Sequence, residues 1–293
     1  MTGSALFSLI IPAHNEEAVI ERCLKTAREG APGTNPFEIV VAANGCTDRT
    51  VEFARRAAPD ARILDLPAGS KTRAINSANA AASAFPRIYL DADVECDFHS
   101  LSAIADALRE PGVMAAAPSI RLDLSHGNWL IRSYYSAWMK QPFAKAGKGG
   151  AGCYGLSEAA LKQVGRFPDI IGDDIWIHTR FPDVQKRYIT EDRAGRPVFS
   201  VVRPPSTAWG QVKVEARRMV GNAEVRRDHP SPYFRDANKD GGLIGAFKSG
   251  ASPLDLLVFI AVKALVRLQT RRILASGARK VWSRDLSSRE HQS

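Results

Sequence analysis

The chain has 293 residues, 45% of them apolar and 24% charged, which excludes a wholly disordered or collagen-like polymer and allows one large domain or two small ones. Forty Lys and Arg against 31 Asp and Glu give a formal charge of +9, so anionic partners are expected: phosphorylated substrates, acidic lipid or nucleic acid. The four cysteines (Cys23, Cys46, Cys96, Cys153) form no CxxC pair, so neither a zinc site nor a disulfide framework is expected, and a reducing cytoplasm is the expected compartment.

The first hundred residues alternate between strand and helix. Residues 8–12 form an apolar run, and 16–28 follow with helical periodicity. A second run, 38–43, precedes a turn and a helix over 48–58. A third, 62–66, leads into an Ala-rich helix over 71–84. The fourth, 87–90, ends abruptly in Asp91-Ala92-Asp93. Short apolar strands separated by helices predict an α/β fold with a mostly parallel central sheet flanked by helices. Ligands of such sheets collect at the carboxyl ends of the strands. His14-Asn15-Glu16, Asn44-Gly45-Cys46 and Asp91-Ala92-Asp93 all fall there.

The middle of the chain is less regular. It holds an apolar strand over 113–120, an aromatic segment over 129–138, a Gly-rich loop over 147–155 and the acidic pair Asp173-Asp174. A basic helix over 212–227 follows. Residues 229–253 carry Pro, Gly and charge and are expected to be mobile. An apolar helix over 254–274 then gives way to a polar tail. The division expected is a main domain over 1–228, halved near residue 110, followed by that loop and a C-terminal amphipathic helix with its tail, 254–293. No signal-peptide core opens the sequence, and no uncharged apolar run reaches the roughly 18 to 20 residues that cross a bilayer. A cytoplasmic protein is expected, at most peripheral on the inner face of the membrane.

Asp91 and Asp93 are the sharpest local signal. Two carboxylates one residue apart at a strand end can share a hard divalent cation, with substrate phosphates completing its shell. A solvated loop or a helix cap would show the same short pattern; the place after the fourth strand favours the metal. Pro12-Ala13-His14-Asn15-Glu16 puts polar residues directly behind a strand-ending proline. These can reach a ligand, or Asn15 can cap the next helix with Glu16 and Glu17 in its first turn.

The motifs recur in a telling order: Pro12-Ala13-His14-Asn15-Glu16-Glu17, Val40 through Thr50 (VVAANGCTDRT), Lys71-Thr72-Arg73-Ala74-Ile75-Asn76, Leu90-Asp91-Ala92-Asp93, Val164-Gly165-Arg166-Phe167 and Gly172-Asp173-Asp174. The ordered set resembles the family 2 inverting glycosyltransferases, which use nucleotide-sugar donors on a GT-A fold, and it covers about residues 6 to 225. The resemblance implies that Pro12, Ala13, Asn15 and Glu16 contact the nucleoside and that the turn at Asn44 holds the base. It sets Lys71 near the base and phosphates, and Asp91 near the ribose and sugar. Asp93, with Asp91, would hold Mg2+ or Mn2+. Asp174 would be the base that activates the acceptor hydroxyl, with Asp173 and His178 as further candidates. His178 lies one helical turn beyond Asp174 and could orient it, or be a structural histidine.

Three departures stand out. Ala43-Asn44 replaces the usual pair of aspartates, which weakens the expectation of a UDP-linked donor. Asp173-Asp174 replaces Glu-Asp and keeps a carboxylate in the base position. The Gln-x-x-Arg-Trp sequence of processive synthases is absent, so transfer of a single sugar is expected.

The chemistry asks for the same parts. A departing nucleoside diphosphate builds charge on phosphate oxygens, which a metal and nearby cations stabilise. The attacking hydroxyl needs a carboxylate within hydrogen-bond reach. On this reading part of the positive charge serves phosphate, and no nucleic acid is expected as a partner. Gly147 to Gly152 satisfies G-x-G-x-x-G, but the segment before it is polar and basic, not the buried strand a dinucleotide site needs. A nucleotidyltransferase would want a Gly-rich loop after the first strand, where Pro12-Ala13-His14 stands. A non-catalytic nucleotide-sugar-binding protein is the other alternative. The aromatic residues Trp129, Tyr134, Tyr135 and Trp138 read as core, or one of them stacks on a sugar. In the last helix, Lys263, Arg267 and Arg271 form a cationic stripe, with Arg279 and Lys280 beyond. That stripe suits an anionic membrane surface, or the helix packs on its own domain or in a dimer.

Overall fold

A computed structural model describes residues 6–33, 35–145, 152–234, 247–248 and 250–276. The predicted mobile loop is therefore described only at its ends. The polar tail with Arg279 and Lys280, and Gly147 to Gly150 of the Gly-rich stretch, lie outside the described residues. The chain divides into two compact units. One comprises Met1–Arg121, Gly150–Asp169 and Arg180–Val202; the other comprises Leu122–Gly149, Ile170–Thr179 and Arg203–Ser293.

The first unit is a mixed sheet covered by helices. Strand β1 (Ser8–Ala13) is followed by helix α1 (Ile20–Arg28), β2 (Glu38–Asn44) by α2 (Thr50–Ala57), and β3 (Arg62–Leu66) by α3 (Lys71–Ala81). After β4 (Arg87–Leu90) come the short β5 (Val94–Glu95), α4 (Phe98–Leu108) and β6 (Ala115–Leu122). The strand order is β3-β2-β1-β4, continued by β7 (Cys153–Leu156), β6, β9 (Phe199–Val202) and β5, with β8 (Lys186–Ile189) paired to β6. β1 runs parallel to both β2 and β4, whereas β7 is antiparallel to β4 and β6. The chain winds one way from β1 to β3, then returns to the other side of β1 for β4. This reversal leaves a crevice at the carboxyl ends of β1 and β4.

Burial on both faces explains the unbroken apolar strands. Every residue of β1 and β4 is buried, and Leu9, Ile11, Val41, Ile88, Leu90 and Leu101 belong to one core. Phe7, Phe37 and Phe98 stack at one edge of it, with ring centroids 4.9 to 6.3 Å apart. Helix α7 (Glu158–Val164) follows β7 and starts on a Ser157 cap.

The second unit is helical. It contains α5 (Trp129–Met139), the short α6 (Pro142–Lys145), α8 (Asp173–His178), α9 (Ala208–Asp228) and α10 (Pro253–Ala275). Side-chain caps at Asn128, Thr207 and Ser252 start α5, α9 and α10. Tyr134, Tyr135 and Trp138 of the aromatic segment are core, while Trp129 is exposed. No described helix is long and apolar enough to cross a membrane.

Two expectations need correction. The Gly-rich stretch expected to be loop ends in strand β7, between β4 and β6. The cationic stripe of the last helix is broken, because Lys263 turns inward and its Nζ lies 2.6 Å from Oε2 of buried Glu215 on α9.

Candidate active site

The crevice of the first unit is built by tying the loop after β1 to the loop after β2. Asn15 adopts a left-handed backbone (φ 52°), and its Oδ1 accepts from the Thr47 amide at 2.8 Å. The Glu16 amide donates to Thr50 Oγ1 at 2.7 Å, and the Glu17 amide to Asp48 Oδ2 at 3.1 Å. Asn15 is therefore not a helix cap, and α1 begins only at Ile20, with Val19 at its cap position. Asp48 also receives the Thr50 amide at 3.0 Å, which opens α2. The polar residues of both motifs thus hold each other in place and fix the mouth of the crevice.

Asn44 ends β2 and is buried. Its Nδ2 donates to the carbonyls of Ala13 at 2.7 Å and Ala42 at 3.3 Å. Two carbonyls can face only the amino end of an amide, so what Asn44 can offer a ligand is its acceptor Oδ1. His14 Nδ1 lies 2.5 Å from the Asn44 carbonyl, which requires the proton on Nδ1. Ala43 is fully buried, so a carboxylate there would have been a core charge needing a partner. Cys46 is half-buried beside Asn15, and burial pushes its thiol above the ordinary value, against any role as nucleophile.

Gly45 makes the turn that follows, at φ 61°. A Cβ there would stand 2.7 Å from the Gly69 amide nitrogen, so the 66–70 segment reaches the crevice only because residue 45 has no side chain. Gly45→Ala is expected to destabilise the fold by about 1 to 3 kcal/mol, read by urea denaturation, because backbone strain and a backbone clash act together. An unchanged denaturation midpoint would show that this loop is not held as described.

The same segment delivers Lys71. Ser70 caps α3, and Lys71 Nζ lies 2.7 Å from Asp91 Oδ1. Asp91 follows directly on β4, with its amide donating to the Gly152 carbonyl at 2.8 Å. Asp93 stands two residues further, just before β5. Sequence reasoning missed what steadies α3. Asn76 exchanges two hydrogen bonds with the Phe167 backbone at 2.8 and 2.9 Å, and Asp169 accepts from Ser70 and Arg73. The signal was present in the sequence, since Asn76 ends the motif that starts at Lys71 and Phe167 ends the one that starts at Val164.

Pro12, Ala13, Asn15, Glu16, Asn44, Lys71, Asp91 and Asp93 therefore converge on the carboxyl ends of β1, β2 and β4. Among the described residues, no group of three or more His, Cys, Asp or Glu side chains could enclose a metal ion. Two carboxylates of one turn, next to a lysine, instead fit a hard cation that draws its other ligands from phosphate and water.

In the second unit Asp173, Asp174 and His178 share helix α8. They are not alike. Asp173 is 2% exposed, whereas Asp174 is exposed and accepts from the Ile175 amide at 2.8 Å. Arg218 of α9 was not singled out in the sequence. Its side chain is half-exposed; partial desolvation opposes its charge, but Glu215 and Asp174 outweigh it and raise its pKa.

Residues 8–157 match the family described as Glycosyl transferase family 2. Glycosyltransferase AglD of Haloferax volcanii is 32% identical over 119 residues, 38% of this chain. That match spans only 19% of AglD. Among solved structures, the mannosyltransferase PcManGT from Pyrobaculum calidifontis, in complex with GDP-Man and Mn2+, superposes with a TM-score of 0.58 at 23% identity. The superposition covers 94% of this chain and 80% of that one. Glucosyl-3-phosphoglycerate synthase from Mycobacterium tuberculosis, in complex with Mn2+, UDP and glucosyl-3-phosphoglycerate, gives 0.55 at 18% identity, covering 78% and 81%. At these identities the likeness is one of fold, the GT-A arrangement.

Proposed function

From the premise that this chain belongs to glycosyl transferase family 2 and is a glycosyltransferase, we propose that it moves one sugar, with inversion, from a nucleoside diphosphate sugar to an acceptor hydroxyl. The carrying observation is the Lys71–Asp91 pair, with Asp93 beside it, at the reversal of strand order. Asp91 and Asp93 would hold Mg2+ or Mn2+, the ions named with the two solved relatives being Mn2+. Such an ion supplies a Lewis acid for the charge that grows on the departing diphosphate. Lys71 exchanges its carboxylate partner for phosphate oxygens when the donor enters. Asp174 takes the acceptor's proton, and the hydroxyl oxygen then attacks the anomeric carbon as the bond to the diphosphate breaks. A single displacement needs no protein nucleophile, which agrees with a Cys46 thiol that burial holds above its ordinary pKa.

Asn44 narrows the donor. Its Oδ1 can accept a ring N–H, which uracil and guanine present on their pairing edges and adenine and cytosine do not. The two solved relatives carry GDP-Man and UDP, bases of that kind. We expect UDP or GDP, with Mn2+, to raise the melting temperature by about 5 °C at a hundredfold excess over Kd. ADP and CDP should give little shift. Equal shifts from all four nucleotides would remove Asn44 from base selection, and no shift from any would remove the nucleotide-sugar reading. The last outcome also covers the nucleotidyltransferase alternative. Hydrolysis or transfer of the donor sugar separates the enzyme from a binding protein of the same fold.

A further inference from the structure

Helix α10 presents two unlike faces. Val258, Val262, Val266 and Thr270 recur every fourth residue and are buried. On this side Phe259 stacks on Tyr134 of α5 at 5.2 Å between centroids, and Asp255 accepts from Ser133 and Ser136 of α5 at 2.6 and 2.7 Å. Lys263 reaches Glu215 of α9, which also accepts from Tyr134 and, at 3.2 Å, from Gln211. These contacts fix the rotation of the helix about its axis. They also turn its single acidic residue inward.

The opposite face is apolar and cationic. Leu257 is 66% exposed; Ile260, Leu265 and Leu268 are exposed as well. Arg267, Arg271 and Arg272 are exposed in the second half of the helix. At roughly 100° per residue, Leu257, Ile260, Leu268, Arg267 and Arg271 lie on the side away from the valine row, with Leu265 and Arg272 at the edge of that face. A contiguous row of large apolar residues on a surface helix calls for a covering partner.

We propose that this face of α10 docks on an anionic lipid bilayer, lying in the interface without crossing it. The charge pattern selects that partner. Leucines enter the boundary between headgroups and acyl chains, while arginines reach up to anionic headgroups on their long stems. The overall charge of +9 acts in the same sense. A second copy of the chain fits less well. A two-fold contact through this face would bring arginines into an apolar interface with no acidic residue of the same helix face to meet them.

The 293-residue chain should sediment with vesicles of equimolar phosphatidylcholine and phosphatidylglycerol, and only weakly with pure phosphatidylcholine. Each arginine near the surface contributes about fivefold to partitioning, so R267Q/R271Q/R272Q should lower binding to the mixed vesicles about a hundredfold. L257E/L268E should abolish it. Both variants alter exposed side chains and should keep the wild-type melting temperature. Failure of the wild type to bind, or unchanged binding by both variants, would overturn the proposal. So would a wild-type dimer that L257E/L268E converts to monomer without any vesicle binding. The assay reads no sugar transfer, so its outcome is independent of the catalytic reading.

Discussion

Asp174→Asn is expected to lower sugar transfer by about 10² to 10⁴-fold while nucleotide affinity stays near the wild-type value. Asn keeps the size of the side chain and an acceptor for the Ile175 amide, which Asp174 Oδ1 receives at 2.8 Å. The start of α8 should therefore be preserved, and only basicity is removed. The structure separates the two neighbouring carboxylates: Asp173 is 2% exposed and Asp174 is exposed, so only Asp174 is open to an acceptor hydroxyl. Single-turnover transfer and calorimetric nucleotide binding, measured on the same preparation, distinguish a chemical loss from a binding loss. Transfer at nearly the normal rate would place the base elsewhere.

Asp93→Ala should bring transfer down by on the order of 10³-fold or more, because in its proposed role as a metal ligand its loss forfeits several kcal/mol of charge stabilisation on the leaving diphosphate. Asp91 carries a further contribution, since its Oδ1 lies 2.7 Å from Lys71 Nζ. Asp93 lies in the turn between β4 and β5, and the melting temperature without ligand should stay close to that of the parent. The Mn2+-dependent part of the nucleotide shift should disappear in the variant. The parent enzyme should stop in excess chelator and recover with Mn2+ or Mg2+. Full activity in chelator would eliminate the metal role.

Strands β1, β2 and β4 were legible because each is buried on both faces, which leaves continuous apolar runs such as Leu9-Ile10-Ile11 and Ile39-Val40-Val41. The site was legible for a related reason. Strand ends in a parallel sheet are where polar residues interrupt such runs, as at His14, Asn44 and Asp91. Strand β7 was not legible. Gly155 packs so closely on α4 that a Cβ would stand 2.5 Å from Leu108 Cδ1, and a strand selected for lack of a side chain reads as loop.

Side-chain partners divide along the same line. Asn15 sits where a helix cap is expected, yet it bonds to Thr47, thirty-two residues away, because parallel pairing of β1 with β2 brings the two loops together. Lys263 has the spacing of an exposed stripe, yet it turns to Glu215 because a buried carboxylate demands a cation. The α/β class, the order of the strands along the chain and the residue types at their carboxyl ends were readable in the chain alone. These follow from local periodicity and from burial, which act over a few neighbouring residues. Tertiary structure alone decided the 3-2-1-4 strand arrangement, the commitment of the Asn44 amide to Ala13 and Ala42, and the outward face of α10. Each of these depends on which distant groups satisfy a buried polar atom or cover an apolar row, and pairing at that range leaves no periodic trace in the chain.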